Sequence, residues 1–423
     1  MRDSIERPKN FADVHLLMRR YLPPARSNRG AYTLERMQKL MDLLGNPQEA
    51  YKVIHVAGTS GKTSTCYYVA ALLKQAGIKA GLTVSPHIDE LNERTQISLR
   101  PLTERKFCDE FTVFLNIIVN SSIQPTYFEV LTAFAFWVFK RRGCEYVVVE
   151  VGLGGLLDAT NVIQGKNKLN IITDIGLDHE EVLGKTLSLI SAQKAGIIKP
   201  HNKVVCYEQG DEVMQIIREV AEAQHAELHE VWPLKESELP GNLPLFQRRN
   251  WYLALQAYNL LASRDNLPQH TEKQLAESTE TLIPARMETV IVGKQNIIMD
   301  GSHNQQKITA LARSLKQRYP GQKFPMLISF VATKQARIRQ CLEALLPVCD
   351  QLIITSFATQ NQEKISVDPL KIASQCEALG FESWEVIDDP MIAFRVFLKR
   401  SGKVKIVTGS FYLLNHIRPK LLQ

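Results

Sequence analysis

Six consecutive residues, Gly58-Thr59-Ser60-Gly61-Lys62-Thr63, have the composition of a phosphate cradle. Glycines let a backbone approach phosphate oxygens closely. A helix that opens at this point adds amides and a positive dipole end, and Lys62 adds a point charge. Thr63 or Ser64 can turn a hydroxyl toward a magnesium ion. The commonest pattern places a glycine five residues before Gly61, where this chain has Val56, so the loop is a shorter variant anchored by Gly58. These residues read as the mark of an ATP-using enzyme.

Other capable side chains fall where strands are expected to end. Ser85 follows one apolar run, Glu150 closes Tyr146-Val147-Val148-Val149, and Asp178-His179 follow Leu169 to Ile175. In an open parallel sheet, ligands bind beyond the carboxyl ends of the strands, so these groups share a rim with the Gly58 loop. A hydroxyl, a carboxylate and an imidazole can hold a magnesium that bridges phosphates. Imidazole is an uncommon ligand for so hard an ion, and by residue type zinc and manganese stay open. Gly152-Leu153-Gly154-Gly155 directly follows Glu150 and reads as a flexible wall of the same site.

The elements that must position these groups alternate short apolar runs with helical patterns, which indicates a mostly parallel sheet covered by helices. Strands are expected at 53–56, 81–84, 146–151 and 169–175. Helices are expected at 63–76, with a stripe of Val69, Ala70, Leu72 and Leu73, and at 126–141. A second αβ series has strands at 296–299, 324–330, 351–355 and 403–407. The stretch from His270 to Pro284 is polar and carries proline, which places a boundary near 284–294 and domains at 1–288 and 289–423. At 423 residues two domains are the natural expectation.

The formal charge of +7 comes from Lys and Arg spread along the chain, which suits anionic small molecules better than nucleic acid. No apolar run approaches the roughly 20 residues that span a bilayer. The seven cysteines are scattered without metal-type spacing, and the first residues lack an apolar signal core. Both features point to a cytoplasmic enzyme with reduced thiols.

The ordered motifs then resemble a known family, the folylpolyglutamate synthases/dihydrofolate synthases within the muramyl ligase superfamily. The resemblance rests on His55 to Lys62, Ser85-Pro86-His87, Leu91-Asn92-Glu93-Arg94, Glu150 to Gly155, and Asp158-Ala159-Thr160-Asn161. It continues through Leu177-Asp178-His179, Lys194 to Pro200, Pro284 to Glu288, Asp300 to Asn304, and Thr408 to Tyr412. The fold it implies is α/β, with a P-loop NTPase-type N-terminal domain and a smaller Rossmann-like C-terminal domain. The implied reaction takes place in a cleft between the domains. ATP phosphorylates a folate or dihydropteroate carboxylate, and the amine of L-glutamate attacks the acyl phosphate.

By the same resemblance, Gly58, Thr59, Ser60, Gly61, Lys62, Thr63, Ser64, Asn250, Arg286 and Asp300 bind ATP. Ser85, Glu150, His179 and Thr63 ligate magnesium, with two ions implied. Lys194 matches a lysine that is typically carbamylated. Arg94, Asp158, His303 and Ser410 match positions that bind the substrate or the incoming glutamate, and His303 joins Lys62, Glu150, His179 and Lys194 as a catalytic candidate. The family favours a monomer, with no nucleic acid or membrane partner.

The chain departs from the family pattern at Ser60 and Thr63 in the loop, at Leu156 after the glycine pair, and at Ala332-Thr333-Lys334-Gln335, which keeps a lysine but lacks its flanking acids. The Pro-Arg-Ala element expected after Thr355 is not recognisable in Ser356 to Ser366. A muramyl-type ligase acting on another carboxylate is the nearest competing reading. A nucleic-acid-associated ATPase is the more distant one.

Overall fold

The computed structural model describes residues 6–21, 33–235, 238–332, 335–359 and 365–422; Thr333, Lys334 and residues 360–364 lie outside them. The chain divides into two compact units. One comprises Met1–Pro240 and Arg249–Thr281, the other Gly241–Arg248 and Leu282–Gln423. The helix Leu245–Asp265 runs through one of the division points.

The first unit is built on β1 (Lys52–Ala57), β2 (Ala80–Thr83), β3 (Gln96–Ile97), β4 (Arg100–Pro101), β5 (Tyr146–Glu150), β6 (Leu169–Ile172), β7 (Lys203–Tyr207) and β8 (Glu227–Val231). They form one sheet in the order β4-β3-β2-β5-β1-β6-β7-β8. The six strands from β2 to β8 run parallel, and only β3 and β4 turn back as an antiparallel edge. Every residue of β5 is buried, as its unbroken apolar run requires of a strand covered on both faces. β6 stops at Ile172, three residues before the apolar pattern does. Asp174 leaves the parallel ladder to make an antiparallel bridge with Ser60.

The helix Lys62–Gln75 starts where expected but is buried from Ser64 to Leu73, so it has no exposed face for an apolar stripe to define. Tyr127–Arg141 opens with a capping box, the Thr126 hydroxyl on the Glu129 amide and the Glu129 carboxylate on the Thr126 amide. Its Phe134 meets Phe107 and Phe111 of Glu104–Ile118 at ring-centroid distances of 4.9 and 5.1 Å. Truncating such a ring costs about 3–5 kcal/mol. Leu187–Ala195 and Asp211–Ala223 pack a separate cluster around Ile190, Ile217 and Val204. The polar stretch read as a linker holds a further helix, Glu272–Thr279, whose own capping box joins Thr271 and Gln274.

The second unit has β9 (Glu288–Val292), β10 (Gln295–Met299), β11 (Phe324–Ile328), β12 (Cys349–Ile354), β13 (Trp384–Val386) and β14 (Val404–Thr408). Their order is β13-β12-β11-β14-β10-β9, parallel except for the β9–β10 hairpin. The alternating burial of β9 marks a strand with one solvated face. Its first residue, Glu288, is buried in a two-bond pair with Arg418, both contacts at 2.7 Å, which ties the hairpin to the helix Phe411–Leu421.

All seven cysteines are buried and unpaired. Among the described residues no helix is long and apolar enough to cross a membrane.

Candidate active site

The phosphate loop leaves the carboxyl end of β1. Its shape depends on both glycines. Gly58 has φ +153°, and a side chain there would lie 1.8 Å from the Thr173 hydroxyl; Gly61 has φ +89°, and one there would lie 2.5 Å from the Asn250 Oδ1. Asn250 is therefore a neighbour of the loop, although 189 positions separate it from Gly61 in the chain. The Thr59 and Ser60 amides both donate to the Asp174 carbonyl, at 2.8 and 3.1 Å. Those two amides shape the loop, and the first-turn amides of the following helix, which have no partner four residues back along the helix, are the natural candidates to meet a phosphate. Lys62 Nζ donates to the Gly58 carbonyl at 3.0 Å.

Val56 pairs with Glu150, so the register of β1 and β5 puts the Glu150 carboxylate beside the loop. The Thr63 hydroxyl donates to Glu150 Oε1 at 2.8 Å, and the Ser85 amide donates to Oε2 at 3.0 Å. Three of the four expected metal-binding residues thus meet around one buried carboxylate. Their donors are oxygens, which suits a hard cation such as magnesium. His179 begins the short helix Glu180–Leu183 with φ +50°, and its half-exposed ring has Nδ1 3.9 Å from Glu181 Oε1. Among the described residues no three His, Cys, Asp or Glu side chains form a metal-binding group, so a cation here needs hydroxyl, phosphate or water oxygens as well.

Lys194 sits at the end of its helix, buried, with Nζ donating to the Gly58 carbonyl at 2.9 Å. The glycine loop after Glu150 holds that helix end. The Leu156 amide donates to the Gln193 carbonyl at 2.7 Å, and a side chain on Gly155 would meet the same carbonyl at 2.6 Å. Asn161 Nδ2 bridges the Leu156 and Gly196 carbonyls at 2.8 and 3.1 Å. Asp158 is turned inward. Its carboxylate accepts from the Leu153 amide (2.9 Å), the Thr160 amide (3.0 Å) and the Thr160 hydroxyl (2.5 Å). The Thr160 hydroxyl spends its proton on Asp158, so it accepts from His55 Nε2 at 2.8 Å. Burial first, then the charges of Lys168 and Lys199, hold His55 well below the usual histidine range, and it stays neutral.

Arg94 lines a small cavity together with Ser85, Phe128, Thr132 and Glu150. Its Nε donates to His87 Nδ1 at 2.9 Å.

In the second unit, Asp300 follows β10 and is buried. It accepts from the Met287 and Ser302 amides, both at 2.9 Å, and from the Ser302 hydroxyl at 2.5 Å. Burial raises its pKa, against the Ser302 hydrogen bond and the Arg286 charge. Asp300 thereby shapes the loop that carries Arg286. The Arg286 guanidinium lies over the Phe411 ring at 4.6 Å, and His303 meets that ring at 5.7 Å. Ser410 caps the helix Phe411–Leu421 through the Tyr412 amide at 3.1 Å. Arg286, His303 and Ser410 therefore gather around Phe411, and a side chain on Gly301 would collide with its ring.

This arrangement matches known proteins over its whole length. The Mur ligase middle domain family covers residues 56–236, and the Mur ligase glutamate ligase domain family covers 285–411. The chain is 30% identical to the dihydrofolate synthetase of Saccharomyces cerevisiae, over 91% of this chain and 96% of that relative. The chain belongs to the folylpolyglutamate synthase/dihydrofolate synthase family. It is 29% identical to the dihydrofolate synthase/folylpolyglutamate synthase of Bacillus subtilis, over 92% of this chain and 94% of that one. Among solved structures, the Mycobacterium tuberculosis folylpolyglutamate synthase complexed with ADP and AMPPCP superposes with a TM-score of 0.84, at 25% identity and 98% coverage of both chains.

Three neighbours of the expected residues carry no motif signal that singles them out. Asp174 acts on the loop through its backbone carbonyl, so its side-chain type carries no signal. Arg249 pairs with the Asp174 carboxylate at 2.5 Å and lies 3.6 Å over the Tyr207 ring. Its place beside Asn250 was the one available clue. Phe411 stood inside a quoted segment, but only the structure shows Arg286 and His303 meeting on it.

Proposed function

We propose that this chain is an ATP-dependent acid–amino-acid ligase that joins L-glutamate to the carboxylate of a folate or dihydropteroate through an acyl phosphate. The observation that carries the reading is the meeting of Lys62 and Lys194 on the Gly58 carbonyl, next to the Thr63–Glu150 hydrogen bond. A phosphate-binding cation, a buried lysine and a strand-end carboxylate thus share one loop.

In the first step an acceptor carboxylate oxygen attacks the γ-phosphorus of ATP, and the bond to the β-phosphate oxygen breaks. Lys62 and the first-turn amides steady the phosphate charge, and Asn250, a neighbour of Gly61, would contact the nucleotide. In the second step the amine of glutamate attacks the acyl carbon. Phosphate leaves, and the nitrogen loses a proton as the amide forms. Phosphorylation turns a poor leaving group into a good one, so the protein's tasks are positioning and charge stabilisation.

Glu150, with the hydroxyls of Thr63 and Ser85 and with His179, would hold magnesium, which when bound neutralises phosphate charge. Lys194 would act as its carbamate, formed when the neutral amine adds carbon dioxide and releases a proton, and would then offer a carboxylate to a second ion. Arg94 binds the acceptor. Asp158 serves the substrate side indirectly, by holding the wall from Gly152 to Gly155. The first unit is the ATP-binding part, and the second binds glutamate through His303 and Ser410. The enzyme works as a monomer in the reducing cytoplasm, in keeping with its seven unpaired cysteines.

The test is an acceptor panel of dihydropteroate, tetrahydrofolate and a muramyl precursor, read by phosphate release and product mass. Glutamate-dependent turnover of a pteroate-type acceptor is expected. Turnover of the muramyl precursor alone would assign the chain to the competing ligase class.

A further inference from the structure

We infer that His87 is a positioning residue that aims Arg94 at the acceptor, an inference that rests on the ligase reading above. The Arg94 side chain has donors only, so its 2.9 Å contact with His87 Nδ1 requires a bare lone pair on that nitrogen and the ring proton on Nε2. The contact also occupies Arg94 Nε. With Nε engaged by His87, a carboxylate would meet this guanidinium end-on, at its two terminal nitrogens.

The turn between the two residues is fixed independently. The Glu93 carboxylate accepts from three successive amides, Ile88, Asp89 and Glu90, at 2.8, 2.6 and 2.9 Å. Gln96 Nε2 donates to the Glu93 carbonyl at 2.9 Å and to the Tyr67 hydroxyl at 2.8 Å, which joins the segment to the helix Lys62–Gln75. Asn92 Nδ2 donates to the Leu102 carbonyl at 2.7 Å. With its backbone held in this way, the remaining freedom of Arg94 lies in its long side chain, and His87 removes part of it. Arg94 shares a small cavity with Ser85 and Glu150, which sets it beside the strand-end carboxylate of the candidate site. Without His87 the charge stays but its direction is lost, so binding of the acceptor suffers while ATP chemistry does not.

The experiment compares wild type, His87→Leu and His87→Asn as the full chain, with KM for tetrahydrofolate, ATP and glutamate measured separately by phosphate release. Asn Oδ1 can stand near the position of Nδ1. His87→Leu should raise KM for tetrahydrofolate about tenfold, the effect of losing one charge-assisted hydrogen bond, with kcat and KM for ATP within about twofold of wild type. His87→Asn should recover most of the loss. An unchanged tetrahydrofolate KM in His87→Leu would overturn the inference, and so would a matched rise in all three constants that Asn does not rescue. Should the leucine variant fail to fold, His87→Ala decides: it removes the Nδ1 lone pair without adding bulk. The same selective rise is expected there, and an unaltered KM would overturn the inference. A wild-type chain without any acceptor-dependent turnover would instead overturn the ligase reading, and this inference with it.

Discussion

Lys62 and Lys194, from two different helices, donate to the same carbonyl oxygen, that of Gly58, at 3.0 and 2.9 Å. A neutral carbonyl is a modest partner for the Lys62 ammonium group, and hydrogen bonds between charged partners are roughly twice as strong. A phosphate arriving at the loop therefore offers Lys62 a better acceptor than the one it has. The shared oxygen links the strand that starts the loop to the last turn of the helix Leu187–Ala195, so the two lysines are placed by one piece of backbone.

Lys62→Ala should lower ATP-dependent product formation by about two orders of magnitude or more, the scale of losing one preorganised charge from a phosphoryl-transfer site. Its circular dichroism and thermal midpoint should stay close to wild type, because the lost hydrogen bond joins a side chain to a turn and packs no core. Near-normal turnover would show that the loop does not hold the reacting phosphate.

Glu150→Gln removes the charge and keeps one oxygen, which can still accept from the Ser85 amide while the new NH2 donates to the Thr63 hydroxyl oxygen. The magnesium concentration for half-maximal rate should rise at least about tenfold, as weakened metal sites generally do. An unchanged magnesium titration would count against Glu150 as a ligand.

Lys194 should gain the mass of one carbon dioxide in bicarbonate-saturated buffer, reversibly on acidification, as read by native mass spectrometry of the intact chain. Lys194→Ala should lose both the mass gain and most activity. A fully active wild type that shows no such gain would remove the carbamate from the account.

Acid stability turns on Asp265. Burial pushes its carboxyl up, but hydrogen bonds from Arg264 and Tyr146 and the Arg264 charge outweigh this and hold it at about 2, below its ordinary 3.8. A depressed carboxyl contributes stability above its unfolded pKa and loses it as pH falls through the folded value. The thermal midpoint should therefore drop between about pH 4 and pH 2. Asp265→Asn should flatten that drop and be less stable at neutral pH. An identical pH profile in the variant would exclude Asp265 as a cause.

Much of this site was legible in the sequence because its residues follow buried strands. Val53 to Val56 and Tyr146 to Val149 announce β1 and β5, and the loop and Glu150 follow from where those runs stop. The short polar strands β3, β4 and β13 gave no periodic signal. The helix Glu272–Thr279 was hidden in a polar stretch, although Thr271 and Gln274 have the spacing of its capping box. Roles carried by backbone were beyond reading: Asp174 shapes the loop with a carbonyl that any residue has. Asp158 shows the opposite limit. The family resemblance matched it to a substrate-binding position, and only the folded chain shows its carboxylate turned inward onto Leu153 and Thr160.

The central claim is an acyl phosphate formed on a folate-type carboxylate, and oxygen-18 in that carboxylate tests it most directly. With ATP, magnesium and L-glutamate present, one labelled oxygen should appear in each phosphate released, matched by one new amide bond in the product. Unlabelled phosphate, or phosphate released at the same rate without glutamate or acceptor, would contradict it.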